Sequence, residues 1–429
     1  MMPERPRSSK LFEQARAAIP SGVSSPVRHF KPHPLFITRS QGAYIWDADG
    51  YRLTDLCNGY GALLLGHRRQ EVISAVSEQM QRGTLYCAPT PDETILAELI
   101  RNNFPSMELV RLVNTGSEAT MTAIRLARGF TKRRGVIKFE GGYHGAHDSV
   151  LVSAGSGQAH HGIATSEGGL DEVSSHTLVA RYNDLTDLEE AIRQNDDIAC
   201  VIVEPVMANM GLIPPQKGFL QEIRRITRQH GIILIFDEVV TGFRLSPGGA
   251  QQLYGIRPDI TTLAKALGGG FAIAAVGGRR DVMECLTPGG RVYQASTFAG
   301  NPVAVAASIA AVRTTNEIGS RMYPRLERYC SDAARALTDM AADAGVAVQV
   351  NHLASIFQVF FSSHPVTDYD AAKRSDQARF GRLFYSLLRS GVFIPPSQFE
   401  CVFLSDAHTE EDLSRILDAY QNAFGSMTC

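Results

Sequence analysis

The chain has 429 residues, of which 44% are hydrophobic and 20% are charged, and this composition is typical of a globular protein with a sizeable core. The length suits more than one domain, or one large domain with a smaller companion. The formal net charge of −2 argues against a general affinity for nucleic acid or for anionic membranes.

Cysteine usage and the N-terminal residues bear on the compartment. The seven cysteines are odd in number and form no CxxC pair, which favours free thiols in a reducing environment. Residues 1–13 lack the apolar core of a signal peptide, and no apolar stretch approaches the length of a membrane span. We therefore expect a cytoplasmic protein without a membrane partner.

The first part of the chain predicts a small sheet followed by two helices. Residues 1–70 combine a short helical start with alternating segments at 35–38 and 43–46, a pattern typical of strands. Apolar residues recur three or four positions apart at 70–81 and 93–103, which predicts helices there.

From residue 110 onward, short apolar segments alternate with helical patterns. The predicted strands are 111–114, 136–139, 199–203, 232–236 and 260–263, and a helix starts at Ser117 after the first of them. This alternation predicts an α/β fold with a mainly parallel central sheet and helices on both faces.

The last part of the chain predicts a smaller α+β unit. A long helical region covers about 303–344, and strands at 346–350, 356–361 and 401–404 precede a final helix at 410–424. We expect an N-terminal segment, 1–70, that joins the smaller domain, a large domain at 71–310, and a C-terminal smaller domain at 311–429.

An acid and a lysine end two of the predicted buried strands. Asp237 follows the apolar run 231–236, and Lys265 follows the run 260–264 and precedes three glycines. Ligands collect beyond the carboxyl ends of parallel strands, so both side chains should meet at one edge of the sheet. Pyridoxal 5′-phosphate (PLP) needs such a pair, since a lysine amine binds its aldehyde carbon and a carboxylate keeps its ring nitrogen protonated. Taken singly, each residue is more often a capping, salt-bridged or solvated group.

Three further positions offer ligand contacts. Ser117 begins a helix whose exposed amides suit a phosphate, although a simple N-cap is also sufficient to explain it. Tyr143, among glycines, could stack on a heteroaromatic ring, whereas such a tyrosine alone is more often packed in a turn. Thr297 supplies a hydroxyl in a loop of small residues, which is a weak signal alone.

Residues 155–172 are rich in glycine and small polar side chains. A flexible surface loop explains this composition as well as a lid does. Loops of this length inside compact enzymes tend to be functional, so the lid stays open as an interpretation.

Several motifs occur in one order along almost the whole chain: Asn114-Thr-Gly-Ser-Glu-Ala119, Gly142-Tyr-His-Gly145, Glu204-Pro205, Asp237-Glu-Val-Val-Thr-Gly-Phe-Arg244, Lys265 with its three glycines, and Thr297 before Gly300-Asn-Pro302. Together they resemble the class III aminotransferases, a PLP-dependent family of fold type I. Within that family, the chain resembles most the aminomutases that act on glutamate-1-semialdehyde. The motifs of that likeness include Gly22-Val-Ser-Ser-Pro-Val-Arg28, Ala154-Gly-Ser-Gly157, and Ile394-Pro-Pro-Ser397 followed by Glu400.

The resemblance implies which residues bind the cofactor. Lys265 would bond to its aldehyde carbon and carry protons, and Asp237 would pair with the ring nitrogen. The resemblance also implies a homodimer with active sites at the subunit interface. The further contacts that it implies are Gly116 and Ser117 with the phosphate, Tyr143 with the ring, Asn209 with the phenolic oxygen, Glu204 in the same site, and Thr297 of the partner subunit with the phosphate.

The resemblance also implies a small amino-acid-like substrate. Ser25 and Arg28 would hold its carboxylate, because the fork of arginine pairs bidentately, although an arginine in such a loop is initially better read as a surface residue. Ser156 would belong to the lid, and Tyr60 replaces a common tryptophan while keeping an aromatic wall. Glu400 stands where related ω-aminotransferases bind 2-oxoglutarate through an arginine, so it disfavours that co-substrate and favours a cationic amine.

These likenesses imply a reaction. An aminomutase that uses PLP and pyridoxamine 5′-phosphate would convert glutamate-1-semialdehyde to 5-aminolevulinate, a tetrapyrrole precursor, by intramolecular amino exchange. It would aminate the aldehyde to a diamine and then remove the other amine, without a second keto acid. The alternative is an intermolecular class III aminotransferase that acts on another amino acid or amine in a specialised pathway.

Two interpretations from other classes fit the residues less well. His144-x-x-His147 with His160-His161 suggests a metal hydrolase, but no HExxH motif or matching acid spacing accompanies them, so we predict no metal. A PLP-binding regulator would keep Lys265 but needs a DNA-binding segment, and no basic helix-turn-helix pattern precedes the fold.

Overall fold

The computed structural model describes residues 4–152 and 166–427. Its strands are β1 Ile37–Gln41, β2 Tyr44–Asp47, β3 Arg52–Asp55, β4 Leu109–Val113, β5 Gly135–Phe139, β6 Thr177–Ala180, β7 Ile198–Val203, β8 Ile233–Asp237, β9 Ile260–Leu263, β10 Ala274–Gly278, β11 Gln349–Leu353, β12 Ile356–Phe360, β13 Val392–Phe393 and β14 Val402–Phe403. Its helices of six or more residues are α1 Pro6–Arg16, α2 Gln70–Arg82, α3 Pro91–Asn103, α4 Gly116–Thr131, α5 Leu185–Arg193, α6 Phe219–Gln229, α7 Gly249–Tyr254, α8 Pro302–Asp343, α9 Tyr369–Arg374, α10 Gln377–Arg389 and α11 Glu410–Gly425.

Seven strands form the central sheet, in the order β4-β10-β9-β8-β7-β5-β6. The five strands from β9 to β6 in that order pair in parallel, while β10 is antiparallel to both β9 and β4. The prediction of a mainly parallel α/β sheet is therefore confirmed. The carboxyl ends of the parallel strands lie at one edge of the sheet, where ligands bind in such folds.

Helices cover both faces of this sheet, because successive side chains of a strand point to opposite faces. In β8, Ile235 packs in one buried cluster with Ile124 of α4, whereas Phe236 packs in another with Ile223 of α6. A strand that is buried on both faces is usually a nearly continuous apolar run, and β8 is apolar up to its last residue. The first acidic residue, Asp237, therefore marks the strand's end.

Two smaller sheets lie outside the central one. The first has the order β1-β2-β3-β13, in which Val392 of β13 pairs in parallel with Thr54 of β3. The second has the order β11-β12-β14. The first sheet joins the N-terminal strands to the C-terminal part of the chain, as the fold prediction requires.

The longest helix, α8, has 42 residues and connects the central sheet to the C-terminal part. It begins where Asn301 Oδ1 accepts the N–H groups of Val303 and Ala304, each at 3.1 Å, with a proline at the first helical position. It ends just before Gly345, whose φ of 66° lies in the left-handed region that favours glycine. Within the described parts of the chain, no helix combines the length and apolar character needed to span a bilayer.

The strand predicted at 346–350 is displaced in the structure. β11 begins at Gln349, which pairs with Phe360 of β12. Val346 and Val348 are buried in the core, but they lie in the connector after α8 rather than in the sheet. The prediction was wrong there because apolar spacing indicates burial, whereas a strand also needs a hydrogen-bonding partner.

A fully buried arginine links distant parts of the chain. The Nε of Arg244 donates to the Gly61 carbonyl at 3.0 Å, and its Nη1 donates to the Leu404 carbonyl at 2.9 Å and the Ser355 hydroxyl at 3.1 Å. Burial lowers the pKa of Arg244 to about 10, so the side chain is cationic at neutral pH. These hydrogen bonds offset the cost of burying the charge.

We expect Arg244→Met to lower the free energy of unfolding by about 3 kcal/mol, because it leaves buried carbonyl groups without donors. The matched control is Arg328→Met, since Arg328 pairs with Glu410 on the exposed surface and such pairs contribute little. Urea unfolding followed by circular dichroism measures both variants. If Arg244→Met lowers the free energy of unfolding no more than the control does, the buried hydrogen bonds of Arg244 do not stabilise the fold.

Candidate active site

One cavity of about 740 Å³ lies at the carboxyl ends of β5, β7, β8 and β9. This volume is within the range of cavities that enclose small ligands. Ten of the residues predicted to contact the cofactor or the substrate line it: Ser25, Tyr60, Gly116, Ser117, Tyr143, Glu204, Asn209, Asp237, Lys265 and Glu400.

Asp237 is the last residue of β8 and is 3% exposed. It lies opposite Thr262 in the parallel register with β9, and the Thr262 hydroxyl donates to its Oδ1 at 3.0 Å. The Val239 N–H donates to the same oxygen at 3.1 Å, and His144 Nδ1 lies 2.8 Å from Oδ2. These partners fix the carboxylate in one orientation, from which it can accept a hydrogen bond from a ligand's ring nitrogen.

Lys265 begins a short 3₁₀ turn just beyond β9 and has a φ of 45°. A non-glycine residue in this left-handed region is strained, and such strain persists where the surroundings enforce it, often at functional sites. Because β8 and β9 are parallel neighbours, Lys265 and Asp237 reach the same cavity. The structure thus brings together the two residues that the sequence placed at one sheet edge.

The N-terminus of α4 faces the same cavity. Thr115 caps this 16-residue helix by accepting the Glu118 N–H at 3.1 Å, and the amides of Gly116 and Ser117 belong to the first turn, which has no intrahelical acceptors. Gly145, with a φ of 99°, packs so closely that an added Cβ would lie 2.6 Å from the Ser117 Cα. Only glycine permits this approach. The amides, the helix dipole and the Ser117 hydroxyl together suit a phosphate.

Tyr143 lies in the glycine-rich turn after β5 and is 37% exposed. Burial raises the pKa of its hydroxyl, and a hydrogen bond with the Ser117 side chain opposes this shift. The backbone N–H of Tyr143 donates to Glu204 Oε1 at 3.0 Å. The ring therefore lies beside the phosphate-binding turn, where it can stack on a flat ligand.

Glu204 follows β7 and is 3% exposed, and burial raises the pKa of its carboxyl. Its Oε2 accepts the Ala208 N–H at 3.1 Å and the Asn209 Nδ2 at 2.9 Å. An amide nitrogen carries two N–H groups, so Asn209 can donate the second one to a ligand oxygen. Glu204 thus orients two residues of the wall, Tyr143 and Asn209.

The predicted substrate contacts line another part of the cavity. The Tyr60 hydroxyl donates to the Val27 carbonyl at 2.8 Å, and burial raises its pKa. This bond ties the turn that carries Tyr60 to the loop that carries Ser25. Glu400 is 6% exposed and also lies on the wall.

Some predicted residues do not line this cavity. Arg28 and Thr297 are both exposed in the single chain. Arg28 directly follows the lining residues 24–27, and its charge opposes the rise in the Tyr60 pKa, so it lies near the cavity. Ser156 and most of the predicted lid, 155–172, lie outside the described residues.

Two residues that contact Asp237 were not predicted to do so. The sequence suggested His144 only as a metal ligand. Because His144 directly follows Tyr143, its position along the chain could have indicated that it belongs to the site. Thr262 lies inside a strand, so only the β8–β9 register reveals its role. Across residues 4–152 and 166–427, no group of three or more His, Cys, Asp or Glu side chains could hold a metal ion.

The residues of this cavity fit PLP. Asp237 suits the ring nitrogen, and Lys265 suits the aldehyde carbon. The start of α4 with Ser117 suits the phosphate, and Tyr143 suits the ring face. The close approach at Gly145, which a larger residue would block, keeps the phosphate-binding turn against the tyrosine turn.

We expect His144→Phe to weaken PLP binding about tenfold or more, because Asp237 loses a charged hydrogen bond of about 1.5–3 kcal/mol. His144→Asn should retain most of the affinity for PLP, since the Nδ2 of the asparagine can occupy the place of the histidine Nδ1. Titration of the apoprotein with PLP, followed by absorbance, measures both. Unchanged affinity in His144→Phe would contradict a role of this contact in cofactor binding.

Comparisons with known proteins agree with this geometry. The model of the aminotransferase class-III family matches residues 25–422. A glutamate-1-semialdehyde 2,1-aminomutase of Nitrosopumilus maritimus is 61% identical over 98% of this chain and 99% of its own length. The enzyme of that name from Methanocaldococcus jannaschii is 46% identical over 97% and 98%. A solved omega-transaminase from Sphaerobacter thermophilus superposes with a TM-score of 0.91 at 34% identity, covering 97% of both chains.

The resemblance drawn from the motifs is therefore confirmed. The match covers nearly the whole chain and includes every residue that lines the cavity except Ser24. The protein is a PLP-dependent enzyme and belongs to the aminotransferase class-III family.

Proposed function

We propose that the enzyme converts glutamate-1-semialdehyde to 5-aminolevulinate by moving the amino group within the substrate, with PLP and pyridoxamine 5′-phosphate as cofactor forms. One observation carries this proposal: Glu400 is buried on the cavity wall, and Lys265 is the only lysine or arginine among the described lining residues. The names of the relatives from Nitrosopumilus maritimus and Methanocaldococcus jannaschii support the same reaction.

The charges of the cavity disfavour a dicarboxylic co-substrate. Glu204, Asp237 and Glu400 place three carboxyl groups on a wall that carries one lysine. A second carboxylate on a ligand would need another cation to offset its lost hydration. A substrate with one carboxylate and one amine suits these charges better, and a mutase needs no second keto acid.

The residues of the wall then divide the steps of the reaction. When bound, PLP supplies an electron sink that stabilises negative charge on the carbon next to the substrate nitrogen. The Asp237 carboxylate would accept a hydrogen bond from the ring N–H and so keep that nitrogen protonated, and Lys265 would take a proton from one carbon atom and return it to another. At the diamine stage the substrate has two amines, and Glu400 can bind the one that is not reacting.

The loop at residues 24–28 would bind the other end of the substrate. Ser25 lines the cavity, and Arg28 follows within three residues. The Tyr60–Val27 hydrogen bond holds this loop against the aromatic wall. A carboxylate fixed at this loop would limit the positions that the two reacting carbons can take relative to Lys265.

Intermolecular amino transfer is the second candidate function. The omega-transaminase from Sphaerobacter thermophilus has nearly the same backbone, which favours this alternative as far as the fold is concerned. Such a reaction requires an external amino donor and a keto acid acceptor. The requirement for a co-substrate therefore distinguishes the two candidates.

We also infer a cytoplasmic homodimer. Exposed aromatic side chains flank Thr297, with Tyr293 68% and Phe298 57% exposed, and a partner subunit would cover them. Thr297 of the partner subunit would then complete the phosphate contacts. All the cysteines that the structure describes are free, which supports a reducing compartment. A solution mass equal to one chain would contradict the dimer, and recovery from a secreted fraction would contradict the location.

We expect the purified enzyme, in its pyridoxamine 5′-phosphate form, to convert glutamate-1-semialdehyde to 5-aminolevulinate over many turnovers without any keto acid. Lys265→Ala should lose this turnover, because the described residues of the cavity wall include no second lysine that could move the proton. A colorimetric assay of 5-aminolevulinate measures both. Product that forms only after a keto acid or amino donor is added would favour the aminotransferase instead.

We expect Glu400→Arg to bind 2-oxoglutarate at least about tenfold more tightly than the wild type, because a cation replaces a repelling carboxylate. Glu400→Gln is the matched control, which removes the charge without adding a cation and should give a smaller gain. Competition by 2-oxoglutarate in the 5-aminolevulinate assay, or its binding to the cofactor-loaded enzyme, measures the affinity. An unchanged affinity in Glu400→Arg would remove the argument from this acid.

A further inference from the structure

A lysine lies fully buried in the central sheet, just before the turn that carries Tyr143. Lys138 of β5 is 0% exposed, and its Nζ donates to the carbonyls of Gly142 at 2.9 Å, Val150 at 3.1 Å and Val152 at 2.7 Å. An ammonium group has three N–H donors, so these carbonyls use all of them. A lysine is almost never buried so completely without a compensating charge.

The compensating charge lies across a single peptide group. The Gly142 carbonyl, which accepts from Lys138, and the Tyr143 N–H, which donates to Glu204, belong to the same peptide. In a trans peptide these two groups point in opposite directions. A cation therefore lies at the carbonyl end and a carboxylate at the N–H end, and the peptide dipole is favourable to both.

The two charged groups also depend on each other electrostatically. Burial lowers the pKa of Lys138 to about 7, and the charge of Glu204 is the largest effect that opposes this shift. Burial raises the pKa of Glu204. Loss of either charge would therefore weaken both hydrogen bonds to the shared peptide, since a charged partner makes the stronger bond.

We propose that Lys138 and Glu204 are positioning residues that act as one unit: they hold the Gly142–Tyr143 peptide between them and so fix the Tyr143 ring against the cofactor. Lys138 does not line the cavity, so its effect reaches the ligand only through this peptide. The inference rests on the proposed contact between Tyr143 and PLP, and it extends the cofactor site into the sheet below.

A double-mutant cycle tests this unit. Lys138→Met and Glu204→Gln should each raise the PLP dissociation constant about tenfold. The dissociation constant of the double variant should stay within about threefold of that of the single variant that binds PLP more weakly. If the two residues acted independently, their effects would multiply, and the double variant would raise the dissociation constant about a hundredfold. Absorbance titration of the apoproteins with PLP gives the dissociation constants, and visible circular dichroism of the bound cofactor reports the stacking of the ring.

Two controls separate positioning from general stability. Thr227→Val removes a buried side-chain hydrogen bond, to the Ile223 carbonyl at 2.8 Å in α6, and should lower the melting temperature while leaving the dissociation constant unchanged. In a Tyr143→Ala background, Lys138→Met should no longer weaken PLP binding, because the ring that it positions is absent. If Lys138→Met does not fold, Lys138→Gln is used in its place. The glutamine amide keeps two N–H donors but carries no charge.

Several outcomes would overturn the proposal. Multiplicative effects in the cycle would show that the residues act separately, and an unchanged dissociation constant in Lys138→Met would leave only a role in stability. Failure of both Lys138 variants to fold would lead to the same conclusion. A wild type that binds PLP but forms no 5-aminolevulinate would overturn the proposed function and leave this inference standing, whereas a wild type that binds no PLP would overturn both.

Discussion

The parallel pairing of β8 with β9 is the constraint on which the site depends. It sets Asp237 opposite Thr262, and it delivers Lys265 to the same edge of the sheet three residues later. A slip of one residue would turn the side chains of one strand to the other face, so Asp237 would lose its partner and leave the cavity. The register is held because Ile235 and Phe236 pack into separate cores on the two faces. The hydrophobic core thus places an acid and a lysine at the same edge of the sheet.

This edge of the sheet buries several ionisable groups, and the turn at residues 142–144 connects them. Lys138 of β5 and Glu204 beyond β7 hold its first peptide, while its histidine, His144, contacts Asp237 at the end of β8. Each buried charge costs free energy unless it is paired or hydrogen-bonded. Because one turn satisfies groups from three strands, contacts within the protein hold the cavity wall in place. Such preorganisation reduces the ordering that binding would otherwise require.

The sequence predicted what depends on periodicity and on the ends of strands. Apolar runs located α8 and five of the seven central strands, but not β6 or β10. Polar residues directly after two of those runs located Asp237 and Lys265, and the glycine-rich stretch beyond a third located Tyr143. The sequence could not predict what depends on register or on the reach of a side chain. Thr262 lies in the middle of a strand, and Lys138 lies in a pattern of buried residues where its charge has no visible partner. The groups that Thr262 and Lys138 contact come from other parts of the chain, so only the fold reveals these contacts.

The side chain of Tyr60 supports two elements of the cavity wall at once. Tyr60 stands where a tryptophan is common in the subfamily that the chain resembles, and its φ of 55° is left-handed. The ring keeps the aromatic wall, and the hydroxyl adds a 2.8 Å bond to the Val27 carbonyl. That bond connects the strained turn to the loop of Ser25 and Arg28. A residue held in a strained conformation needs such external contacts, so the hydroxyl both supports the turn and positions the loop proposed to bind the substrate carboxylate.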